Sequence, residues 1–280
     1  MPDVSGEQSG AGSKTVAILG AGVMGSTLLS GLIRAGRPAT DLVITGRNAQ
    51  RVEELASTYG VRQMSNVDAA LGADTLVLVV KPQDMDGLIA EIRRHVRPGT
   101  LVVSLAAGIT TTFLEQRLPP GTAVVRVMAN TPAMVDEGMA AISPGQHCDE
   151  VHLGEAEELL RSCGKVLRVP EKHLDAVTAI SGSGPAYIFY VVEAMIEAGV
   201  LLGMPRATST ELVVQTLYGA ATMLKETGQH PTVLREQVSS PGGTTMAALR
   251  QLDDHKVRAA FVTAMEAAAQ RSQQLASGDV

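Results

Sequence analysis

Short apolar runs separated by helical patterns fill the first 170 residues of the chain. The runs are rich in Val, Ile and Leu and show no polar alternation, which is typical of strands buried on both faces of a sheet. We predict strands at 15–19, 42–45, near Val61, and at 75–80, 101–104, 124–128, 139–143 and 165–169. Because helical patterns such as 26–35, 49–59 and 153–163 lie between them, the sequence predicts an α/β sheet that is mainly parallel, with an antiparallel edge.

After Pro170 the pattern changes to helices only. Predicted helices cover 174–180, 186–202, 207–227, 232–237, 245–252 and 256–275. The helix over 186–202 is apolar nearly all round apart from Glu193 and Glu197, so other helices must enclose it. A subunit interface would bury this surface, and a self-contained bundle is the alternative. We therefore predict three regions: a disordered tail over 1–13, an α/β domain over 14–170 and a helical domain over 171–280.

Composition excludes several classes of protein. A net charge of −6 without a basic run argues against binding to nucleic acid or to an acidic membrane surface. Two cysteines, Cys148 and Cys163, make no disulfide framework, so a reducing cytoplasm is the simplest setting. Residues 1–13 lack the apolar region of a signal peptide, and Glu193 and Glu197 argue against a membrane span. The six histidines show no metal-binding spacing, and no metal is expected.

A glycine-rich turn follows the first predicted strand and precedes a helix. The turn reads Gly20-Ala21-Gly22-Val23-Met24-Gly25. This context is the one that a dinucleotide-binding fingerprint requires. Gly20 allows the tight turn, Gly22 lets a pyrophosphate approach the backbone, and Gly25 lets the helix pack closely on the strand. We therefore predict a Rossmann-like domain over 14–170.

The end of the second predicted strand bears on the choice of cofactor. Sites specific for NAD place Asp or Glu there to bind the ribose hydroxyls. Here the corner reads Thr45-Gly46-Arg47-Asn48. Arg47 and its small polar neighbours suit a 2′-phosphate instead, so NADPH is the expected cofactor and NADH is possible. The alternative for Arg47 is a solvated charge in a loop.

A second glycine turn lies in the helical half. Pro241 fixes its own φ, and Gly242 and Gly243 can take backbone angles that are closed to other residues. We expect Thr244 or Thr245 to supply the N-cap of the helix that follows. Free N–H groups at the positive end of that helix would bind a small carboxylate, and the threonine hydroxyls would add donors. An ordinary helix start is the alternative.

Together with a third segment, Ser181-Gly182-Ser183-Gly184-Pro185-Ala186-Tyr187, these turns make the chain resemble pyrroline-5-carboxylate reductase, the last enzyme of proline synthesis. The similarity runs from about residue 15 to about residue 275. It implies a Rossmann-like dinucleotide-binding domain followed by an all-helical dimerisation domain. It also implies an interlocked homodimer or a ring of such dimers.

The resemblance implies the reaction and the residues that carry it. The substrate would be Δ1-pyrroline-5-carboxylate, reduced at C5 to L-proline. The expected catalytic residues are Thr245 and Ser240. The expected substrate-binding residues are Ser181, Gly242, Gly243, Thr244 and Thr245. The expected cofactor-binding residues are Leu19, Gly20, Ala21, Gly22, Val23, Met24, Gly25, Gly46, Arg47, Asn66, Val80, Lys81, Pro82, Ala106, Ala107 and Gln237.

Two other functions fit the same build. One is a related NADP-dependent imine reductase or a β-hydroxyacid-type dehydrogenase, although the helical half has no clear Gly-x-x-x-Lys-Asn arrangement of those dehydrogenases. The other is a non-catalytic NADP-binding sensor, in which a complete second glycine turn would not be needed. The sequence shows no Ser-His-Asp set and no paired catalytic carboxylates. Reduction of a C=N bond chiefly needs orientation of the carbon against the hydride.

Overall fold

The structure, a computed structural model, describes residues 14–277. The predicted tail over 1–13 lies outside the described residues. The chain divides into two compact units. Unit 1 runs to Gly182 and takes in the chain again from Arg271, and unit 2 is Ser183–Gln270.

Unit 1 is built on one eight-stranded sheet. Its strands are β1 (Val16–Leu19), β2 (Leu42–Thr45), β3 (Arg62–Gln63), β4 (Thr75–Leu78), β5 (Leu101–Ser104), β6 (Ala123–Ala129), β7 (Gly138–Pro144) and β8 (Gly164–Arg168). Their order is β3-β2-β1-β4-β5-β6-β7-β8. The first six strands are parallel, β7 runs antiparallel to β6, and β8 pairs parallel with β7. The predicted antiparallel edge is therefore confirmed.

Helices cover both faces of this sheet, and the strand sequences explain why. Every residue of β1, β2, β4 and β5 is buried. Alternate residues of one strand enter different cores: Ile18 packs with one set of helices and Leu19 with the other. The helices are α1 (Val23–Arg34), α2 (Ala49–Tyr59) and α6 (Glu150–Arg161) on the first face, and α3 (Asn66–Gly72), α4 (Met85–Ile92) and α5 (Thr111–Glu115) on the second.

The strand order reverses between β1 and β4. In open α/β sheets, ligands bind at the carboxyl ends of the strands on either side of such a reversal. Helix caps fix where the chain enters the helices that flank this crevice. Asn48 accepts a hydrogen bond from the backbone of Arg51 to begin α2, and Ser65 accepts one from Asp68 to begin α3.

Unit 1 continues beyond Pro170, where the sequence predicts a change of domain. Glu171 accepts hydrogen bonds from Thr111 and from the guanidinium of Arg126, and Leu174 is fully buried. The domain bounds 14–170 and 171–280 therefore stay a prediction, while the compact unit ends at Gly182. The predicted helix over 174–180 is instead a short α7 (Leu174–Val177) followed by a π-helical turn, Thr178–Gly182.

Unit 2 consists of helices, as predicted. They are α8 (Gly184–Leu201), α9 (Arg206–Thr227), α10 (Pro231–Gln237), α11 (Thr244–Asp254) and most of α12 (Val257–Ser277). The first two cross closely, because a Cβ on Gly199 would lie 2.1 Å from the Ser209 hydroxyl. That hydroxyl donates to the carbonyl of Ile196 at 2.9 Å.

Large apolar side chains remain exposed on the helices of unit 2. No residue of α8 is buried, and Leu201 is 88% exposed. By length and composition alone, one helical stretch of the described residues, Glu171–Leu201, is apolar enough to cross a membrane. This is weak evidence for a span, because a helix that packs against protein passes the same test. The same exposure is expected of helices that pack against a second chain.

Candidate active site

Two glycines of the first turn are required by the fold. Gly20 has a φ of +129°, and a Cβ there would lie 2.4 Å from the carbonyl oxygen of Val79. A Cβ on Gly25 would lie 1.9 Å from the carbonyl oxygen of Gly20. No side chain fits at either position, so β1, the turn and α1 pack backbone against backbone. The roles predicted for these glycines match this geometry.

Gly22 is different, because the space beside it is empty. It is the N-cap of α1 and offers no side chain to the helix, and no atom lies within 4 Å of the place where its Cβ would be. The backbone N–H groups of Val23, Met24 and Gly25 have no hydrogen-bond acceptor among the described residues. An open helix start of this kind fits a pyrophosphate, which its N–H groups and positive dipole would bind.

A groove of about 610 Å³ opens beside this turn. It lies at the carboxyl ends of β1 and β4, where the strand order reverses. It brings together nine of the expected cofactor-binding residues: Leu19, Gly20, Ala21, Gly22, Gly46, Arg47, Asn66, Val80 and Lys81.

The other expected cofactor residues lie elsewhere. Val23, Met24 and Gly25 are not among the residues that line the groove; they follow Gly22 as the first residues of α1. Pro82, Ala106 and Ala107 are not among the residues that line it, and Ala106 is buried in the core. Gln237 belongs to unit 2, where its amide donates to Gln229 at 3.1 Å. Their roles in cofactor binding stay predictions.

Arg47 carries an ion pair at the outer corner of the groove. Its Nη1 donates to Asp84 Oδ1 at 2.9 Å, and its Nη2 donates to Oδ2 at 2.8 Å. Arg51 lies in the same wall, with its Nη1 3.5 Å from the carboxylate of Glu54. The sequence analysis missed Arg51, although it is one helical turn beyond Arg47, and missed Asp84, which comes from a distant segment.

Asn66 is fixed between two neighbours. The hydroxyl of Thr45 donates to its Oδ1 at 2.5 Å, and its Nδ2 donates to Glu91 Oε2 at 2.9 Å. Both Asn66 and Glu91 line the groove. Glu91 was not predicted, because only the packing of α3 beside α4 brings it to the wall.

The second glycine turn joins α10 to α11 in unit 2. Gly242 has a φ of +73°, in the left-handed region, and the N–H of Gly243 donates to the carbonyl of Ser240 at 3.0 Å. The expected N-cap, Thr244 or Thr245, is wrong: Gly243 is the N-cap, and no side chain caps the helix. A Cβ on Gly243 would lie 2.5 Å from the Ser240 hydroxyl oxygen and 3.1 Å from the Ser240 carbonyl oxygen, so a side chain here would force the Ser240 side chain to move.

Because no side chain caps α11, its first N–H groups are free. Those of Thr244, Thr245 and Met246 find no acceptor among the described residues. The Thr245 hydroxyl also has no partner there. Several threonines deeper in other helices donate to the carbonyl four residues back, as Thr216 does at 2.7 Å and Thr263 at 3.1 Å, whereas Thr245 is the second residue of α11 and has no helical carbonyl at that position. The half-buried Thr245 therefore keeps a hydroxyl available for a ligand.

Ser181 is separate from the second turn, in unit 1. Its carbonyl and its hydroxyl each lie 3.2 Å from the side-chain nitrogen of Asn130. Asn130 in turn accepts a hydrogen bond from the backbone of Met139 at 2.8 Å. This contact ties the π-helical turn to the start of β7. The remaining predicted substrate and catalytic residues, 240 and 242–245, share unit 2.

The described residues contain no group of three or more His, Cys, Asp or Glu side chains placed to hold a metal ion. The functional groups that the two candidate sites offer are backbone N–H groups, hydroxyl groups and guanidinium groups. Such groups bind anions and orient a substrate.

Comparisons with known proteins show which families the two halves of the chain match. Residues 171–275 match the family described as pyrroline-5-carboxylate reductase dimerisation, and residues 15–108 match the one described as NADP oxidoreductase, coenzyme F420-dependent. The pyrroline-5-carboxylate reductase of Corynebacterium melassecola is 45% identical over 265 residues, which cover 93% of this chain and 98% of that protein.

Solved structures give the same result. A pyrroline-5-carboxylate reductase from Coxiella burnetii superposes with a TM-score of 0.90 at 35% identity, covering 94% of this chain and 99% of that one. Plasmodium falciparum pyrroline carboxylate reductase, solved with NADP bound, gives a TM-score of 0.85 at 29% identity and covers 94% of this chain and 98% of that one.

Proposed function

The chain belongs to the pyrroline-5-carboxylate reductase family, and we infer that it reduces L-Δ1-pyrroline-5-carboxylate to L-proline with a hydride from NADPH, which goes to C5, and one proton, which goes to the ring nitrogen. The observation that carries this function is the open start of α11. Its glycine turn is complete, its first N–H groups are free, and an unbonded threonine hydroxyl lies beside them. A small substrate with a carboxylate and a ring nitrogen suits this set of donors.

Unit 1 holds the cofactor. The N–H groups at the start of α1 receive the pyrophosphate beside Gly22, where a side chain would intrude. Arg47 and Arg51 bind the 2′-phosphate, and Asn66 and Glu91 lie along the wall of the same groove. When bound, NADPH supplies the hydride, so the chain itself needs no redox group.

Unit 2 holds the substrate. Its carboxylate accepts hydrogen bonds from the backbone N–H groups of Thr244 and Thr245, assisted by the positive end of α11. The Thr245 hydroxyl donates to the ring nitrogen and orients C5 toward the hydride. Ser240 closes the turn through its carbonyl and places its own hydroxyl against Gly243. Ser181, in unit 1, stays a predicted substrate-binding residue.

The chain is an oligomer, because residues 171–275 match a dimerisation family. We propose that the exposed apolar helices of unit 2 form the subunit interface, which would bury residues such as Phe189, Tyr190 and Leu201. A ring of dimers and a cytoplasmic location complete the proposal. Cross-linking and light scattering of the purified chain test the assembly, and a monomer at micromolar concentration would contradict it.

The first experiment tests the reaction. Purified protein is mixed with NADPH and pyrroline-5-carboxylate near neutral pH, and loss of cofactor absorbance is followed together with proline. Proline that forms in step with cofactor loss supports the function. NADPH binding without proline would move the assignment to another imine reductase or to a sensor.

A second experiment tests the role of Thr245. Thr245→Val keeps the shape and removes the hydroxyl, so we expect kcat to fall about 10- to 100-fold, the effect of one lost hydrogen bond to a developing charge. The Kd for NADPH should stay unchanged, and Thr245→Ser should recover most of the rate. Thr263→Val is the control, because its hydroxyl bonds only to Ala259. Unchanged turnover in Thr245→Val would remove this hydroxyl from the mechanism.

A further inference from the structure

We propose that Asp84 sets the margin by which this enzyme prefers NADPH to NADH. Its carboxylate occupies the two-nitrogen edge of the Arg47 guanidinium that a 2′-phosphate would otherwise bind. The inference rests on the proposed role of Arg47 in binding that phosphate, and it assigns a specificity role to a residue of a separate segment.

The contact between the two side chains is bidentate. Both terminal nitrogens of Arg47 donate to Asp84, one to each carboxylate oxygen, at 2.9 and 2.8 Å. This parallel arrangement is the one in which Arg also binds phosphate. Asp84 and a 2′-phosphate are therefore alternative ligands for the same edge of one guanidinium.

Among residues 14–277, the carboxylate of Asp84 makes no hydrogen bond or ion pair other than those with Arg47. Asp84 immediately precedes α4, a position at which Asp commonly accepts a hydrogen bond from the helix backbone, yet its side chain caps no N–H group. Both of its oxygens bind Arg47. Asp84 also lines the groove, so its charge faces the same space as the cofactor.

The charges at this corner of the groove explain why Asp84 should weaken the binding of NADPH more than that of NADH. Asp84 neutralises Arg47, and the Arg51 guanidinium already lies 3.5 Å from Glu54. A 2′-phosphate carries close to two negative charges, so it must displace Asp84 or bind beside it. The ribose hydroxyl of NADH is neutral, so NADH neither displaces Asp84 nor places a second negative charge beside it. Asp84 therefore weakens the binding of NADPH and leaves NADH binding largely unchanged.

The cost of displacing Asp84 is small because the pair is solvated. The Arg47 side chain is 82% exposed, and exposed pairs of this kind are weak. We expect Asp84→Asn to tighten NADPH binding up to about fivefold, the range that an exposed ion pair covers. The Kd for NADH should change by less than about twofold. The KM for NADPH should fall in parallel, with kcat unchanged.

Titration of cofactor fluorescence with the full-length protein measures both Kd values. Asp86→Asn is the matched control, since it removes the same charge two positions away. Asp86 is paired with Arg117 and does not line the groove. We expect Asp86→Asn to leave the NADPH to NADH ratio as in the parent protein. In an Arg47→Ala background, Asp84→Asn should no longer change that ratio.

Three outcomes would overturn the inference. Weaker NADPH binding in Asp84→Asn would mean that Asp84 holds Arg47 in its binding position. Equal effects of Asp84→Asn and Asp86→Asn would mean that overall charge alone matters, and an unchanged ratio would mean that the pair has no role. The proposed function fails in a different way, through absence of proline. If Arg47→Ala weakened NADPH and NADH equally, the phosphate assignment and the Asp84 inference would fall together.

Discussion

The substitution Gly22→Ala separates cofactor binding from folding in unit 1. Gly22 has a φ of −75°, which alanine adopts freely, and no atom lies within 4 Å of its Cβ position. The methyl group therefore meets no neighbour in the protein. Alanine restricts the unfolded chain more than glycine does, but it is also a poorer N-cap, so the two effects oppose each other and we expect stability to change by less than about 1 kcal/mol.

Binding of NADPH should fall, because the same methyl group stands where the pyrophosphate approaches the start of α1. Loss of one hydrogen bond to a charged group costs about 1.5–3 kcal/mol. That cost corresponds to a Kd raised about 10- to 150-fold. The effect should be similar for NADH, since both cofactors carry the pyrophosphate.

Thermal unfolding without cofactor and fluorescence titration with cofactor measure the two effects on one sample. Gly154→Ala is the control, because Gly154 lies in α6 away from the groove and has equally open space. It should raise the Tm without changing the Kd. If Gly22→Ala bound NADPH as tightly as the parent, the start of α1 would not be the pyrophosphate site. A loss of stability well above the roughly 1 kcal/mol that a weaker N-cap explains would show that the space beside Gly22 is not open.

Two further predictions concern unit 1. Burial raises the pKa of Cys163 and of Cys148 above the ordinary value of 9.0, so both thiols should react slowly with iodoacetamide near pH 8 until guanidinium unfolds the protein. The thiols of the unfolded chain ionise at lower pH than the buried thiols, so the stability that the two cysteines contribute is complete below pH 9.0 and is lost as the pH rises above it. Fast labelling of the native protein would contradict the burial of the two thiols. Glu171→Gln leaves the nearly buried Arg126 without its charged partner, so urea unfolding should show a loss of about 2 kcal/mol. The exposed Glu150, replaced by Gln, should cost under about 0.5 kcal/mol, and equal losses would refute the argument.

Local chemistry explains the features that were predicted correctly. The strands could be predicted because their residues are apolar on both faces. The first glycine turn could be predicted because Gly20 and Gly25 are needed for close backbone packing within one strand–turn–helix unit. Arg47 was predicted to face a phosphate because it follows β2 directly. Its place in the groove agrees with that expectation, while its role as a phosphate ligand stays a proposal.

Features that depend on distant neighbours were missed. Asp84 reaches Arg47 across 37 positions of sequence, which no local pattern reveals. The π-helical turn Thr178–Gly182 is tied to Asn130, which lies 51 positions before Ser181. The N-cap of α11 is a local error: the N-cap residue is Gly243, although a threonine normally makes the better side-chain cap.

Because the helices of unit 2 expose large apolar side chains, the stability of this chain should depend on its own concentration. A chain that completes its core only against another copy gains stability with the logarithm of its own concentration, so its Tm should rise as the sample is concentrated. A newly made chain at low abundance passes through a stage in which these helices are exposed to chaperones and proteases. Abundance and activity would then be coupled. At chain concentrations below the dissociation constant of the assembly, the concentration of assembled enzyme would fall more steeply than the total concentration of chains.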